Sequence, residues 1–328
     1  MEWIADTSIG AWLRERLDDG HSTMHGVVPH GFPAYARVVH PAIVRSLPDR
    51  PVPSPVEWEG LPDAERQRLL EQFVDEPATW AETAAAFGTT MHPFAQWRRI
   101  VRTPDGEDWR ARISPDGREF SAPIEGGLGA EMLAAIAGHL VAHTSTPDAG
   151  FAALWEGYGG LLGFFGETPS QTFLPFTDDP NHQAMLNRST RDPFNNVFRK
   201  PTWQDGILSR EVSEGPRLSL PDRDHVLFSA PPRLFADSGW VREVPWRDPS
   251  TGSGTAGEGD GFPPSALSPS ILWPEDRAWV MVSEIDFDST IVAGPDALIR
   301  EICADDRLEA AQIPEGTDLT WDADRVNR

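Results

Sequence analysis

The chain is almost without lysine and cysteine: Lys200 is the one lysine and Cys303 the one cysteine in 328 residues. A single thiol excludes an intrachain disulfide, and nothing points to a stapled, secreted scaffold. A mechanism that needs a Schiff-base or phosphate-binding lysine has Lys200 or nothing. Apolar runs of membrane-spanning length are missing. The first residues, Met1-Glu2-Trp3-Ile4-Ala5-Asp6, carry neither a basic n-region nor an apolar h-region, so the expectation is a cytoplasmic protein. The glycines form no G-x-G-x-x-G or P-loop pattern, and no G-x-S-x-G nucleophile elbow occurs, which leaves nucleotide binding and α/β-hydrolase chemistry without support.

Acid is what the chain has in excess: 51 Asp and Glu against 28 Lys and Arg, a net charge of −23. A field of that sign repels nucleic acid and anionic lipid, so neither is an expected partner. Solvation of charged faces accounts for most such charge. The basic residues are nearly all arginine, a preference that fits planar, bidentate ion pairs or simply a GC-rich genome. With 39% hydrophobic residues and 13 Trp, the chain has the means to bury a core.

The segments read as an α+β fold, a mixed and mainly antiparallel sheet with flanking helices, in a single domain over 1–328. Residues 1–50 give a helix at 8–17 and a strand at 33–40, and a Pro-laden stretch follows from Pro48 to Pro55. Residues 62–163 read as a helical part leading into the sheet, with helices at 62–75, 77–87 and 94–101. The strongest helix is Leu128 to His143, where Leu128, Met132, Leu133, Ile136 and Leu140 repeat at helical spacing. Phe151–Trp155 reads as a buried strand and Glu156–Gly160 as a glycine-built turn. Residues 164–216 read as an irregular insertion and 247–269 as a flexible loop, being too rich in Gly, Ser and Pro to offset ordering entropy. Residues 270–313 read as a compact strand–helix unit: a strand from Ala278 to Ile285, Thr290–Ala293 continuing it or pairing back on it, and a helix from Gly294-Pro295-Asp296 to Cys303, whose thiol is expected in the core.

Three groupings bear on chemistry. Asp286-Phe287-Asp288-Ser289-Thr290 spells the paired aspartates with which haloacid-dehalogenase-type phosphatases begin, one Asp as nucleophile, the other as acid/base, both on Mg²⁺. Only 38 residues follow Thr290, no lysine follows, and Ser283 and Glu284 break the apolar run of a buried parallel strand. An antiparallel strand with acids facing solvent is the plainer expectation. His139 and His143 share a helix face at metal-compatible spacing, and Asp148 or Glu156 is the available third ligand; Leu140 stands where a zincin glutamate would be. His143 equally suits a helix C-terminus, against the dipole. His21, His25 and His30 cluster with acids and match no closed metal site; exposed loop histidines are the expected account. No cofactor is expected, a divalent metal being the exception these groups leave open. Among the aromatics, Trp155 and Trp279 fall in strands as core, and Trp273 precedes a turn from which Arg277 can reach its ring. Trp155, Tyr158, Trp273 and Arg277 are the candidate binding residues.

Four blocks together resemble a family of uncharacterised actinobacterial proteins: Gly31–Pro41, His143-Thr144-Ser145-Thr146-Pro147-Asp148, Leu154-Trp155-Glu156-Gly157-Tyr158-Gly159, and Trp273-Pro274-Glu275-Asp276-Arg277-Ala278-Trp279 with Glu284–Thr290. The resemblance touches most of the chain outside 164–216 and 247–269 and implies no activity. Phe151–Gly157 also resembles immunity proteins that neutralise bacterial toxins, which would imply a protein partner. With no complete catalytic constellation and abundant Trp, the expected function is a non-catalytic binding or interaction protein. The alternatives are a metal-dependent hydrolase on Asp286/Asp288 or His139/His143, and a toxin-neutralising immunity protein.

Overall fold

Strand β1 (Ala34–Val39) is buried at every position. Its run Ala-Tyr-Ala-Arg-Val-Val is covered on both faces, so it sits inside a sheet. The computed structural model describes residues 1–20, 23–166, 202–248 and 264–328. By contacts the chain divides into two units, Met1–Glu156 with Pro216–Arg328, and Gly157–Gly215.

In the first unit the strands after β1 are β2 (Ala42–Ser46), β3 (Val74–Ala78), β4 (Ala111–Ile113), β5 (Glu119–Ser121) and β6 (Gly150–Trp155). In the second unit β7 (Phe164–Gly166) and β8 (Thr202–Gln204) form an antiparallel pair, with Arg210 stacked on Phe165 and Trp203. The first unit then continues with β9 (Leu218–Ser219), β10 (Asp224–Ser229), β11 (Ile271–Pro274), β12 (Val280–Val282), β13 (Ser289–Gly294) and β14 (Ala310–Ile313). Its large sheet has the order β14-β1-β13-β12-β11-β6-β10-β9. Every pairing in it is antiparallel, so the mainly antiparallel α+β architecture expected from the sequence is what the chain adopts. Thr290–Ala293 lies in β13, which pairs back on β12, with Met281 opposite Val292.

The helices follow local rules. Helix α1 (Ala11–Arg14) is one turn. Helix α2 (Pro55–Gly60) starts on a Ser54/Glu57 capping box with Pro at its first position. Helix α3 (Asp63–Leu70) follows at once. Helix α4 (Trp80–Phe87) is capped by Thr79 and closed by Gly88 at φ +65°. Helices α5 (Trp97–Ile100) and α6 (Ala130–Ala142) complete the first stretch. In the second unit α7 (Arg210–Ser213) is a single turn, and back in the first α8 (Asp296–Cys303) starts just after Pro295. Helix α8 packs on β1, β13 and β14, and α6 packs against α8 and the 3-10 turns at 232–236 and 238–242. The opposite face of the large sheet is closed by the chain's two ends: Trp12, Leu13, Met24 and Phe32 from one, Leu319 from the other, over Tyr35, Trp273, Val280 and Ile291.

A second sheet, ordered β3-β2-β5-β4, carries α4 and α5 on a core of Val44, Trp80, Phe87, Trp97, Ile100 and Phe120. Residues 62–87 therefore hold two short helices separated by a strand, where the sequence reads as two adjoining helices. The reason is local: β3, Val74-Asp75-Glu76-Pro77-Ala78, is a solvated edge whose proline needs no ladder partner. The helix expected at 94–101 is shortened to Trp97–Ile100 and the strand at 278–285 to Val280–Val282. Most of the 164–216 and 247–269 segments lies outside the described residues. No described helix is long and apolar enough to cross a membrane.

Candidate functional site

The turn leaving β12, Glu284-Ile285-Asp286-Phe287-Asp288, stands between two cavities of about 390 and 380 Å³. Both linings include Asp286, Phe287, Leu319 and Thr320. Trp97, Trp109 and Trp321 wall the first, and Trp321 stays 62% exposed with the Arg98 guanidinium 5.5 Å over its ring. Arg223 and Glu284 line the second. Apolar walls with a few converging polar groups are what small-ligand sites are made of.

Buried bonds fix the turn. Arg37 points from β1 into the protein, 2% exposed. Its Nη1 donates to the Ala95 carbonyl at 2.7 Å, its Nε to Ser289 Oγ at 3.0 Å and its Nη2 to Asp288 Oδ1 at 3.1 Å, with Trp80 stacked beneath. A buried guanidinium is tolerated because every face of it is matched. Asp288 is thus the counter-ion of Arg37. Asp286 accepts from Arg223 Nη2 at 2.6 Å and Glu284 from Arg223 Nε at 3.2 Å. Both aspartates of the phosphatase-like spelling are therefore engaged by arginine, and Asp286 is the more exposed of the two, its side chain 70% accessible against 20%.

Next to them, Ser283, Thr290 and His40 form a buried relay. His40 Nδ1 lies 2.7 Å from the Ile124 carbonyl, which only accepts, so the ring proton sits on Nδ1. Nε2 then accepts from Thr290 Oγ1 at 2.9 Å, and Thr290 accepts from Ser283 at 2.7 Å. Burial holds His40 below the usual imidazole range, in the neutral form the relay needs. Ser283 and Thr290 are fully buried and have no access to substrate.

Glu125 is the carboxylate that composition could not single out. It precedes Gly126, which has φ +74°; a Cβ there would stand 2.6 Å from Ile285 Cα. Only glycine allows that approach, and the Gly126 N–H donates to the Phe287 carbonyl at 2.9 Å. The contact brings Glu125 to the cleft beside Asp286 and Asp288. Among the described residues Glu125 has no ion-pair partner. Although Glu125 is exposed, partial desolvation, then the neighbouring charges of Asp288 and Asp286, push its carboxyl above the usual range against the pull of Arg110. Burial does the same to Glu284.

The other expected site residues lie apart from this cleft. Trp273 belongs to β11 and is wholly buried; Arg277, at φ +54°, stacks over Trp12 rather than Trp273. Trp155 is partly buried beneath the Arg223 guanidinium, 5.6 Å away. Tyr158 lies in the second unit, in a tight turn with its carbonyl accepting from Leu161 N. His139 bonds Asp305 at 2.8 Å and His143 bonds Glu301 at 2.9 Å, so the pair clamps α6 to α8 and the turn after it. Asp148 pairs with Arg233 at 2.7 Å. The Thr144-Ser145 segment and the Asp276 turn, far apart in sequence, meet where Asp276 accepts from Thr144 Oγ1 at 2.8 Å and from Ser145 N at 2.7 Å.

His25, His30 and Glu315 are the one trio of metal-ligand side chains within mutual reach among the described residues. The expectation of exposed loop histidines is corrected here: His25 is 1% exposed, because its 3-10 turn is folded under the 314–317 segment. Its Nδ1 faces the Val28 carbonyl at 2.8 Å and its Nε2 accepts from Gly316 N at 3.0 Å. The two rings stack at 3.5 Å, so their lone pairs run side by side instead of converging. Both His25 nitrogens are already bonded, Nδ1 locally to Val28 and Nε2 to Gly316 across the two ends, so binding an ion would break one of these bonds. His21 lies outside the described residues.

The chain matches no family model, no curated protein and no solved structure, so this cleft stands on its own geometry.

Proposed function

We propose that the protein is a non-catalytic binding protein whose cleft at the Glu284–Asp288 turn takes an ammonium or guanidinium group with an apolar stem. The observation that carries this is Glu125. It is an exposed carboxylate with no ion pair among the described residues, crowded by Asp286 and Asp288 and drawn only at longer range by Arg110, in a cavity walled by Trp97, Trp109, Trp321 and Phe287. A bound cation would relieve that repulsion, and indole faces favour cations within about 6 Å. The net charge of −23 concentrates cations at such a mouth. Against a catalytic reading stand the buried Ser283–Thr290–His40 relay and the arginine partners of Asp286 and Asp288.

The test is thermal denaturation at constant ionic strength with agmatine, spermidine and arginine amide, beside neutral citrulline. The expected result is a saturable rise in Tm with the cations only, since a ligand at 100 times its Kd adds about 2.7 kcal/mol. Equal shifts with citrulline, or none with any cation, would sink the proposal. A short arginine-containing peptide in the same series separates a partner's side chain from a free small molecule as the source of the group.

A further inference from the structure

Acids outnumber bases by 51 to 28 in this chain, yet one cavity of about 450 Å³ has no Asp or Glu in its lining. Arg98, Arg99 and Arg102, on α5 and the turn after it, line it with Arg328, Thr89 and Thr103. Arg98 is matched by Asp105 at 2.5 Å. Arg99 and Arg102 have no carboxylate partner among the described residues. Arg102 gives one N–H to the Gly88 carbonyl at 2.6 Å, at the C-terminus of α4.

Two further observations point to a ligand. Thr103 is 5% exposed, and its Oγ1 has no hydrogen-bond partner; the buried Nε atoms of Arg98 and Arg99 are unmatched as well. Buried polar atoms are rarely left so, and these three, sealed from solvent on residues that line one cavity, are unmet bonding capacity in its wall. Arg102 also holds φ +51° just past α5, where its N–H bonds Arg99 O at 3.2 Å and Thr103 N bonds Arg98 O at 3.0 Å. That is the helix-closing position glycine usually fills, so a strained arginine stands where glycine would be easier.

We propose that this cavity binds the phosphoryl group of a small, polar phosphate monoester, held by Arg99, Arg102 and Thr103. The guanidinium fork matches a phosphoryl oxygen pair, and a hydroxyl supplies a further donor. The volume exceeds that of a bare phosphate and leaves room for a small hydroxylated body. A polyanion would run out over an acidic surface, whereas one phosphoryl group stays within about 10 Å of the arginines, inside the screening length. The site stands independently of the cation cleft, although Arg98 borders both.

The experiment is calorimetric titration of the intact chain with glycerol 3-phosphate, inorganic phosphate and glycerol at fixed ionic strength. The parent is expected to bind the ester more tightly than inorganic phosphate and to ignore glycerol. Arg99→Gln and Thr103→Val are expected to weaken the ester about tenfold each, the loss of one charge-assisted or buried bond. Both variants should melt no lower than the parent, because neither side-chain group removed has a partner in the free protein. Arg102→Gly, which relieves the backbone, should weaken the ester too. Glu125→Gln should leave this binding unchanged and thereby separates it from the cleft. No measurable binding of ester or phosphate, or equal affinity in parent and Arg99→Gln, overturns the proposal.

Discussion

His225 shows how one residue sets a pH response. It lies on β10, 3% exposed, with Nδ1 unpartnered, and burial pushes its pKa down to about 4. The unfolded chain takes up a proton near 6.5 that the folded protein refuses until about 4, so stability falls as pH drops through that window. The loss is on the order of 3 kcal/mol by pH 4. Glu284 acts in the opposite sense, because a raised carboxyl pKa gains stability on acidification. The informative measurement is therefore a difference: urea unfolding of parent and His225→Leu at several pH values. The parent is expected to lose stability from pH 6.5 to 4 more steeply than the variant; parallel curves would contradict the account. Residues of this kind are illegible in sequence. His225 and His40 look like ordinary histidines until burial is known, and Glu125 is one acid of 51 until Gly126, packed against the Ile285 backbone, carries it to the cleft.

Strand β12 and helix α6 meet through Trp279, wholly buried just before the strand, with Nε1 donating to the Leu140 carbonyl at 2.8 Å. Removing a large buried aromatic leaves a cavity, and here the Leu140 carbonyl also loses one of its two hydrogen bonds, keeping the one from His143 N. Trp279→Ala should cost about 3–5 kcal/mol in denaturant unfolding. A melting temperature within a degree or two of the parent would show that the contact carries little. At this scale the sequence reads well wherever a pattern is long. Helix α6 and strands β1, β6 and β13 fall where period or β-branched content puts them. The small sheet is missed because its strands are three to five residues long. Strand β3 carries Asp, Glu and Pro, and its neighbours are helix formers, so neither length nor alternation marks it.

For the whole molecule, the sheet order explains why the site could not be assembled from spacing. The cleft draws on residues 96–98, 109, 125, 286–289 and 319–321, brought together because β1 pairs with β13 and the C-terminal segment crosses the N-terminal one. The paired-aspartate spelling falls in the turn beside the cleft, where its carboxylates pair with Arg37 and Arg223. Net charge agrees with the cation proposed for the cleft and is silent on a local arginine cavity. The central claim is that Glu125 is a carboxylate awaiting a cation. The direct measurement is calorimetry of agmatine with the intact parent and with Glu125→Gln at one ionic strength. The account predicts one-to-one binding that weakens at least fivefold in the variant, about 1 kcal/mol, with Tm unchanged or higher once the repulsion is gone. Equal affinity in the two proteins, or no binding to the parent, would contradict it.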